Sequence, residues 1–196
     1  MCLLFETIKI VNGKPKNLAL HDKRLNLSRQ KLFGINEILQ LSDFIQVPEE
    51  NKVGIFRCRV IYGSSIISTE YTPYYPAAIK TLKLVHSDTI KYDLKYLERS
   101  CLTKFINRDI ADDILIVKEG CITDSSFANI VFTDGKHWVT PDTPLLYGTM
   151  RERLLFKGII DTERITIDNL YNFTHFRLIN AMLGFNSRIL PTINII

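Results

Sequence analysis

The sequence lacks the patterns that usually mark metal sites, membrane spans and nucleotide-binding loops. Its four cysteines never occur at CxxC spacing and its four histidines form neither HxxxH nor HExxH, so no metal site is expected. No stretch is apolar over the length of a membrane span. Because GxGxxG, GxxxxGK(S/T) and GxSxG are also missing, dinucleotide-binding folds, P-loop enzymes and α/β-hydrolases lose support.

Charge is mildly positive and evenly scattered. The 25 basic and 21 acidic residues give a net charge of +4 without a basic run, so nucleic acid is not expected as a partner and a small anionic ligand is weakly favoured. The first residues contain neither a basic region nor a long apolar core, which predicts a cytoplasmic protein with reduced thiols and no membrane partner. With 196 residues, the chain suits one domain or two small ones.

Turn signals divide the first half of the chain into short elements. The predicted elements are a strand over 3–11, a short strand from residue 14, a helix over 20–33, a helical pattern over 35–47, and a hairpin of strands 53–62 and 66–72. Two prolines within 72–76 predict a linker. We therefore expect a small N-terminal α/β domain over 1–74 and a larger domain over 77–196.

The second half is more regular. Its predicted strands are 82–86, 114–117, 127–132, 137–139, 176–183 and 187–190. A helix is predicted over 149–156, and an earlier one from apolar residues at helical spacing, namely Leu94, Leu97, Leu102, Phe105 and Ile106. Because helices and strands alternate without strict βαβ spacing, the expected fold class is α/β or α+β rather than a doubly wound sheet.

Lys95 and Asp124 carry most of the chemical information. An amine and a carboxylate on neighbouring elements are what a pyridoxal-phosphate (PLP) enzyme needs. The amine forms a Schiff base with the cofactor aldehyde, and the carboxylate keeps the ring nitrogen protonated. For Lys95 alone, a surface lysine at the start of a helix is the simpler interpretation.

Three further motifs suit the binding of anions. Gly148 and Thr149 open a helix, where amides, a hydroxyl and the helix dipole attract phosphate; the alternative is an ordinary helix cap. Arg24 suits bidentate contact with a phosphate, or else belongs to a solvated basic face. Arg57 and Arg59 share one face of a strand and suit a carboxylate, unless that face is simply exposed.

Taken in order, the motifs resemble those of the class IV aminotransferase family, the fold-type-IV PLP enzymes, over nearly the whole chain. The matching segments are Phe5-Glu6-Thr7-Ile8-Lys9 with Asn12-Gly13-Lys14, His21 with Arg24, Lys95 with Arg99, Asp112-Asp113 through Asn129-Ile130, Gly148-Thr149-Met150-Arg151, and Asn180-Ala181. Without that context, Asn180-Ala181 is interpreted as part of a core strand with one satisfied amide.

The resemblance implies a homodimer with a two-domain, D-amino-acid aminotransferase-like fold and PLP in the cleft between the domains. Lys95 is then the Schiff-base lysine and proton carrier, and Asp124 the partner of the ring nitrogen. The other residues expected at the cofactor are Arg24, Gly148 and Thr149 at the phosphate, with Asn129, Asn180 and Ala181. Arg57 and Arg59 are expected to bind substrate.

The chain departs from the family pattern at three places. Asp124 stands where the family usually has Glu, so the carboxylate is one methylene shorter. Glu98 stands where Asn is common. The chain also begins directly at the first matching strand, without the usual preceding strand and loop, which help to form the substrate pocket in the family.

The resemblance gives a first expectation for function and two alternatives. The first is 4-amino-4-deoxychorismate lyase, which forms 4-aminobenzoate and pyruvate for folate synthesis; the spacing of Lys95 and Arg99, Asn180-Ala181 and the short chain favour it. The second is a branched-chain or D-amino-acid transaminase, supported by Arg57. The third is a PLP-binding homologue with weak catalysis, suggested by Asp124 and the absent leading segment.

Overall fold

The computed structural model describes residues 2–196, which divide into two compact units. The first unit runs to Pro76 and also includes Leu94–Glu98; the second contains Ala77–Asp93 and Arg99–Ile196. Lys95 therefore belongs to the first unit, although it lies beyond the predicted linker in sequence. The two units are described separately.

The first unit is built on a four-stranded antiparallel sheet in the order β2-β1-β3-β4. Its strands are β1 (Leu4–Val11), β2 (Lys14–Pro15), β3 (Ile55–Tyr62) and β4 (Ile66–Pro73). Asn12 and Gly13 both have positive φ, as a tight turn between β1 and β2 requires. One face of the sheet forms a core with helix α1 (Leu18–Phe33), which includes Leu4, Ile8, Ile10, Leu25, Cys58 and Val60.

The predicted helix over 35–47 is wrong: it is replaced by a single 3₁₀ turn at Leu41–Asp43. Polar side chains of α1 bind the backbone that a helix would have paired internally. The Asn26 side chain accepts a hydrogen bond from the Leu39 amide and donates to its carbonyl, while Asp22 accepts from the Leu41 amide. These side-chain partners, 13 to 19 positions earlier in the chain, hold the segment extended against α1.

The predicted helix through Leu94 and Leu97 is also wrong over most of its length. Helix α2 covers only Ser100–Thr103, and residues 94–98 lie beside β1. The Phe5 amide donates to the Lys95 carbonyl at 3.0 Å, and the Leu97 amide donates to the Leu3 carbonyl at 2.9 Å. The segment thus satisfies its backbone against the amino end of β1, which β2 does not cover.

The second unit contains an eight-stranded mixed sheet. The strands follow the order β10-β9-β8-β7-β6-β5, and β11 pairs with β8 and β12. They are β5 (Leu82–His86), β6 (Asp113–Lys118), β7 (Cys121–Ser125), β8 (Asn129–Thr133), β9 (Trp138–Pro141), β10 (Asp161–Glu163), β11 (His175–Ile179) and β12 (Leu190–Pro191). Helix α3 (Thr149–Phe156) has the predicted bounds. Every residue of β7 and β8 is buried, so these strands place polar side chains inside the unit.

The predicted α/β or α+β fold class is confirmed by these two mixed units. The predicted strand over 176–183 is too long, because β11 ends at Ile179, and the predicted strand over 187–190 is replaced by the two residues of β12.

Between residues 2 and 196, no helix has the length and apolar character needed to cross a membrane.

Candidate active site

Lys95 shares an aromatic ring with Arg59 in the first unit. The Lys95 Nζ atom lies 4.6 Å from the centroid of the Phe5 ring, and the Arg59 Cζ atom lies 4.8 Å from the same centroid. Both distances are within the range of cation–π attraction. The structure therefore brings together the predicted nucleophile and one of the two predicted substrate-binding arginines.

The sheet face that carries Phe5 is rich in cations, and we call Lys9, Arg57 and Arg59 the cationic face. In the register of β1 and β3, Lys9 lies opposite Arg57 and Thr7 opposite Arg59, so all three cations point away from the α1 core. Arg57 is exposed and its Nε donates to Thr72 Oγ1 at 3.3 Å. Exposed Glu70, opposite Arg59 on β4, is the acidic residue in the same register.

On the other face of β1, Glu6 holds Arg24. Arg24 donates from Nε to one Glu6 oxygen at 2.8 Å and from Nη2 to the other at 2.5 Å, while His21 Nδ1 lies 2.6 Å from the second oxygen. Burial alone raises the pKa of Glu6, but the Arg24 charge and the hydrogen bonds from His21 and Arg24 outweigh it and lower the pKa to about 2. The predicted phosphate ligand thus has a fixed orientation.

Asp124 is buried in β7 of the second unit. One of its oxygens accepts a hydrogen bond from Asn129 Nδ2 at 2.6 Å, and the other accepts from the Leu146 amide at 2.9 Å. Burial raises the pKa of Asp124 to about 6, although these bonds and the charge of Arg151 act in the opposite direction. The carboxyl is consequently close to its titration point near neutral pH.

Gly148 approaches the Asn129 side chain so closely that any other residue at this position would displace it. A Cβ atom placed on Gly148 would lie 1.9 Å from Asn129 Oδ1, well inside van der Waals contact. Gly148 is extended and directly precedes α3, whose first residue, Thr149, is buried. The structure therefore brings Asp124, Asn129 and the Gly148–Thr149 helix start together, as expected for one site.

Asn180 ends β11 instead of continuing it. Its side-chain oxygen accepts hydrogen bonds from the Met182 and Leu183 amides, both at 2.9 Å, and so folds the chain into a turn. Its Nδ2 lies 3.4 Å from the Phe127 carbonyl. The interpretation of Asn180-Ala181 as part of a core strand is wrong, and their expected place at the cofactor stays a prediction.

The residues of each unit fit parts of PLP. Asp124 is a buried carboxylate with about four acceptor positions, so the bonds from Asn129 and Leu146 do not exhaust it. The start of the eight-residue helix α3, with buried Thr149 as its first residue, suits a phosphate. In the first unit, Lys95 supplies the amine and Arg24 a guanidinium fixed by Glu6.

The chain belongs to the class IV aminotransferase family. The model of the family described as amino-transferase class IV matches residues 3–187, which confirms the resemblance seen in the motifs. Membership of this family supports PLP as the cofactor.

Relatives cover nearly the whole chain. An uncharacterized protein of Haemophilus influenzae is 40% identical over 184 residues, covering 92% of this chain and 98% of that protein. A crystal structure from Haemophilus somnus 129PT, described as a "putative 4-amino-4-deoxychorismate lyase", is 33% identical with a TM-score of 0.87, covering 94% of this chain and 98% of that one. A PLP-bound "hypothetical aminotransferase" from Mycobacterium tuberculosis is 19% identical with a TM-score of 0.74, covering 96% and 83% respectively, and shows the shared fold.

The sequence motifs predict no separate role for Phe5, Glu6, His21 or Leu146. Phe5, Glu6 and His21 lie within the matching motifs, which indicate their positions but not their contacts. The Leu146 contribution comes from its backbone amide, for which a side-chain pattern gives no signal.

The lowered pKa of Glu6 predicts a specific acid sensitivity. Because the folded-state pKa is about 2 and the ordinary value is 4.5, the ionised carboxylate contributes stability above pH 4.5 that is lost as the pH falls towards 2. The full contribution is about 3 kcal/mol. Urea unfolding between pH 7 and 2.5 should show a shallower acid decline for Glu6→Gln than for the wild type.

The control is Glu49→Gln, which alters an exposed ion pair with Lys52 and should leave the acid decline unchanged. An identical decline in the wild type and Glu6→Gln would show that Arg24 and His21 do not stabilise the charge on Glu6.

Proposed function

We propose that the protein is a PLP-dependent 4-amino-4-deoxychorismate lyase that forms 4-aminobenzoate and pyruvate. The observation that carries the proposal is the shared Phe5 ring, whose centroid lies 4.6 Å from Lys95 Nζ and 4.8 Å from Arg59 Cζ. Guanidinium groups bind carboxylates, and aminodeoxychorismate has two carboxylates. The description of the Haemophilus somnus relative supports the same reaction.

The proposal assigns a role to each group at the site. Lys95 would hold the cofactor through its aldehyde, and the Lys95 amine would take a proton from the carbon that bears the substrate amino group and return one to the departing enolpyruvyl group. Asp124 holds a proton at the ring nitrogen. In the first unit Arg24, oriented by Glu6, would bind phosphate, and in the second unit Thr149 and the amides near Gly148 would do so. Bound PLP supplies an electron sink for the carbanion.

A transaminase acting on branched-chain or D-amino acids is the second candidate. The exposed Arg57 guanidinium favours it, because a single arginine on the cationic face suffices for an amino acid's one carboxylate. Both candidates share the cofactor and the role of Lys95. Our proposal also includes a cytoplasmic homodimer with a place in folate synthesis.

The deciding experiment measures product release with and without an amino acceptor. Purified protein loaded with PLP should release pyruvate and 4-aminobenzoate from aminodeoxychorismate without any 2-oxo acid. If it releases no pyruvate but transfers amino groups to 2-oxoglutarate, the lyase proposal is overturned in favour of a transaminase. If PLP is bound and neither reaction occurs, the protein is a PLP-binding homologue with weak catalysis.

Lys95→Ala should abolish the covalent attachment of PLP. The visible absorption band of the loaded protein should disappear, and borohydride reduction should no longer add mass to the peptide that contains residue 95. Lys104→Ala, which changes an exposed lysine over the Phe105 ring in the second unit, is the control and should keep both signals. A surviving band in Lys95→Ala would assign the attachment to another lysine.

Arg59→Ala should weaken substrate binding without releasing PLP. Removing one partner of a half-buried charge pair costs about 2 kcal/mol, so KM for aminodeoxychorismate should rise roughly 30-fold. Arg57→Ala should have a smaller effect, because Arg57 is exposed. The control is Arg108→Ala, which changes an exposed arginine and should leave KM unchanged. An unchanged KM in Arg59→Ala would remove the arginine from the substrate site.

A further inference from the structure

Asn129 lies between the Asp124 carboxylate and the turn that precedes α3. We propose that Asn129 is a positioning residue: its side chain fixes the plane and the charge of Asp124 and ties that carboxylate to the Leu146–Gly148 turn. The ring-nitrogen partner and the phosphate-binding helix start then form one hydrogen-bonded unit. This inference rests on the proposed cofactor roles of Asp124 and Thr149, and it replaces the expected direct contact of Asn129 with the cofactor.

The three residues form a closed ring of hydrogen bonds. Asn129 Nδ2 donates to Asp124 Oδ1 at 2.6 Å and to the Leu146 carbonyl at 2.9 Å, and the Leu146 amide donates to Asp124 Oδ2 at 2.9 Å. Both backbone groups of Leu146 are thereby engaged. Asp124 and Asn129 are 5% and 6% exposed, so water does not compete effectively for these bonds.

The chemistry of position 129 requires a side chain that donates twice. Asp124 and the Leu146 carbonyl both accept, and the Asn amide nitrogen carries two hydrogens, one for each. An aspartate at position 129 would place an acceptor against two acceptors. A leucine of similar shape would remove the donor to Asp124 Oδ1 and the donor to the Leu146 carbonyl, at the cost of buried unsatisfied acceptors, while Asp124 Oδ2 would keep its bond from the Leu146 amide.

The remaining atom of the amide explains the glycine that follows the turn. Asn129 Oδ1 occupies the space in which a side chain at residue 148 would begin, since a Cβ there would lie 1.9 Å away. Asp124, Asn129 and Gly148 are consequently interdependent. Because an aspartate has one fewer torsion than a glutamate, bonds to both of its oxygens suffice to fix the carboxylate plane.

The charge of Asp124 provides a readout that does not depend on catalysis. Asn129 and Leu146 donate to the ionised form and Arg151, on α3, attracts it, while burial favours the protonated form. Removing the Asn129 donor should therefore raise the pKa of Asp124 above its value of about 6. Carbon-13 NMR of aspartate-labelled, PLP-free protein measures this pKa, with the signal assigned through Asp124→Asn.

Asn129→Leu should raise the Asp124 pKa by roughly one unit, equivalent to a tenfold change in proton affinity. The control is Thr140→Val, which removes a buried hydrogen bond to the Ile130 carbonyl on β8 but does not contact Asp124. It should leave the Asp124 pKa unchanged. A purely structural role for Asn129 predicts similar stability losses in both variants and no pKa shift in either, which would overturn the proposal.

Gly148→Ala tests the same point without removing the amide, because the new methyl group pushes the Asn129 side chain away from Asp124. It should also raise the Asp124 pKa, and an unchanged value would count against the proposal even if Asn129→Leu fails to fold. In loaded protein, both variants should lower kcat more than they raise KM. A protein that shows the shifts but releases no pyruvate retains the role of Asn129 and loses only the lyase assignment.

Discussion

The backbone pairing of β1 is the interaction on which the first unit depends. β1 pairs with β3 along its whole length, with β2 at its carboxyl end and with the Lys95 segment at its amino end. Strand alternation then sends Phe5 to the cationic face and Glu6 to the α1 side. Two adjacent residues thereby position the predicted nucleophile and the predicted phosphate ligand.

Two buried carboxylates behave in opposite ways because their neighbours differ. Glu6 has a guanidinium and an imidazole within direct hydrogen-bond distance, and its pKa falls to about 2. Asp124 has a neutral amide and a backbone N–H as its hydrogen-bond donors, with the Arg151 charge as a lesser influence, and its pKa rises to about 6. Glu6, which stays ionised, is suited to hold an arginine in place. Asp124, whose pKa is near neutral pH, is suited to share a proton with a heterocycle.

Much of the fold follows from local signals in the sequence. Strand β5 and helix α3 have their predicted bounds, and the Asn12-Gly13 turn is where the dipeptide indicates. The failures lie where distant partners satisfy the backbone: residues 35–47 bind side chains of α1, and residues 94–98 bind β1. At the site, the motifs indicate Asp124, Asn129 and Gly148, but they do not predict the close approach of Gly148 to the Asn129 side chain, because these residues are 19 positions apart.

The return of Leu94–Glu98 makes the first unit discontinuous in sequence. During synthesis, the backbone groups of Leu3 and Phe5 remain without these partners until the chain has passed residue 97. A fragment that stops at Pro76 lacks the segment that covers the amino end of β1 and leaves a strand edge open to pairing with another chain. The first unit therefore cannot be completed before residues 77–93 of the second unit have been synthesised. The two residues that complete it are Leu97 and Lys95, the predicted nucleophile.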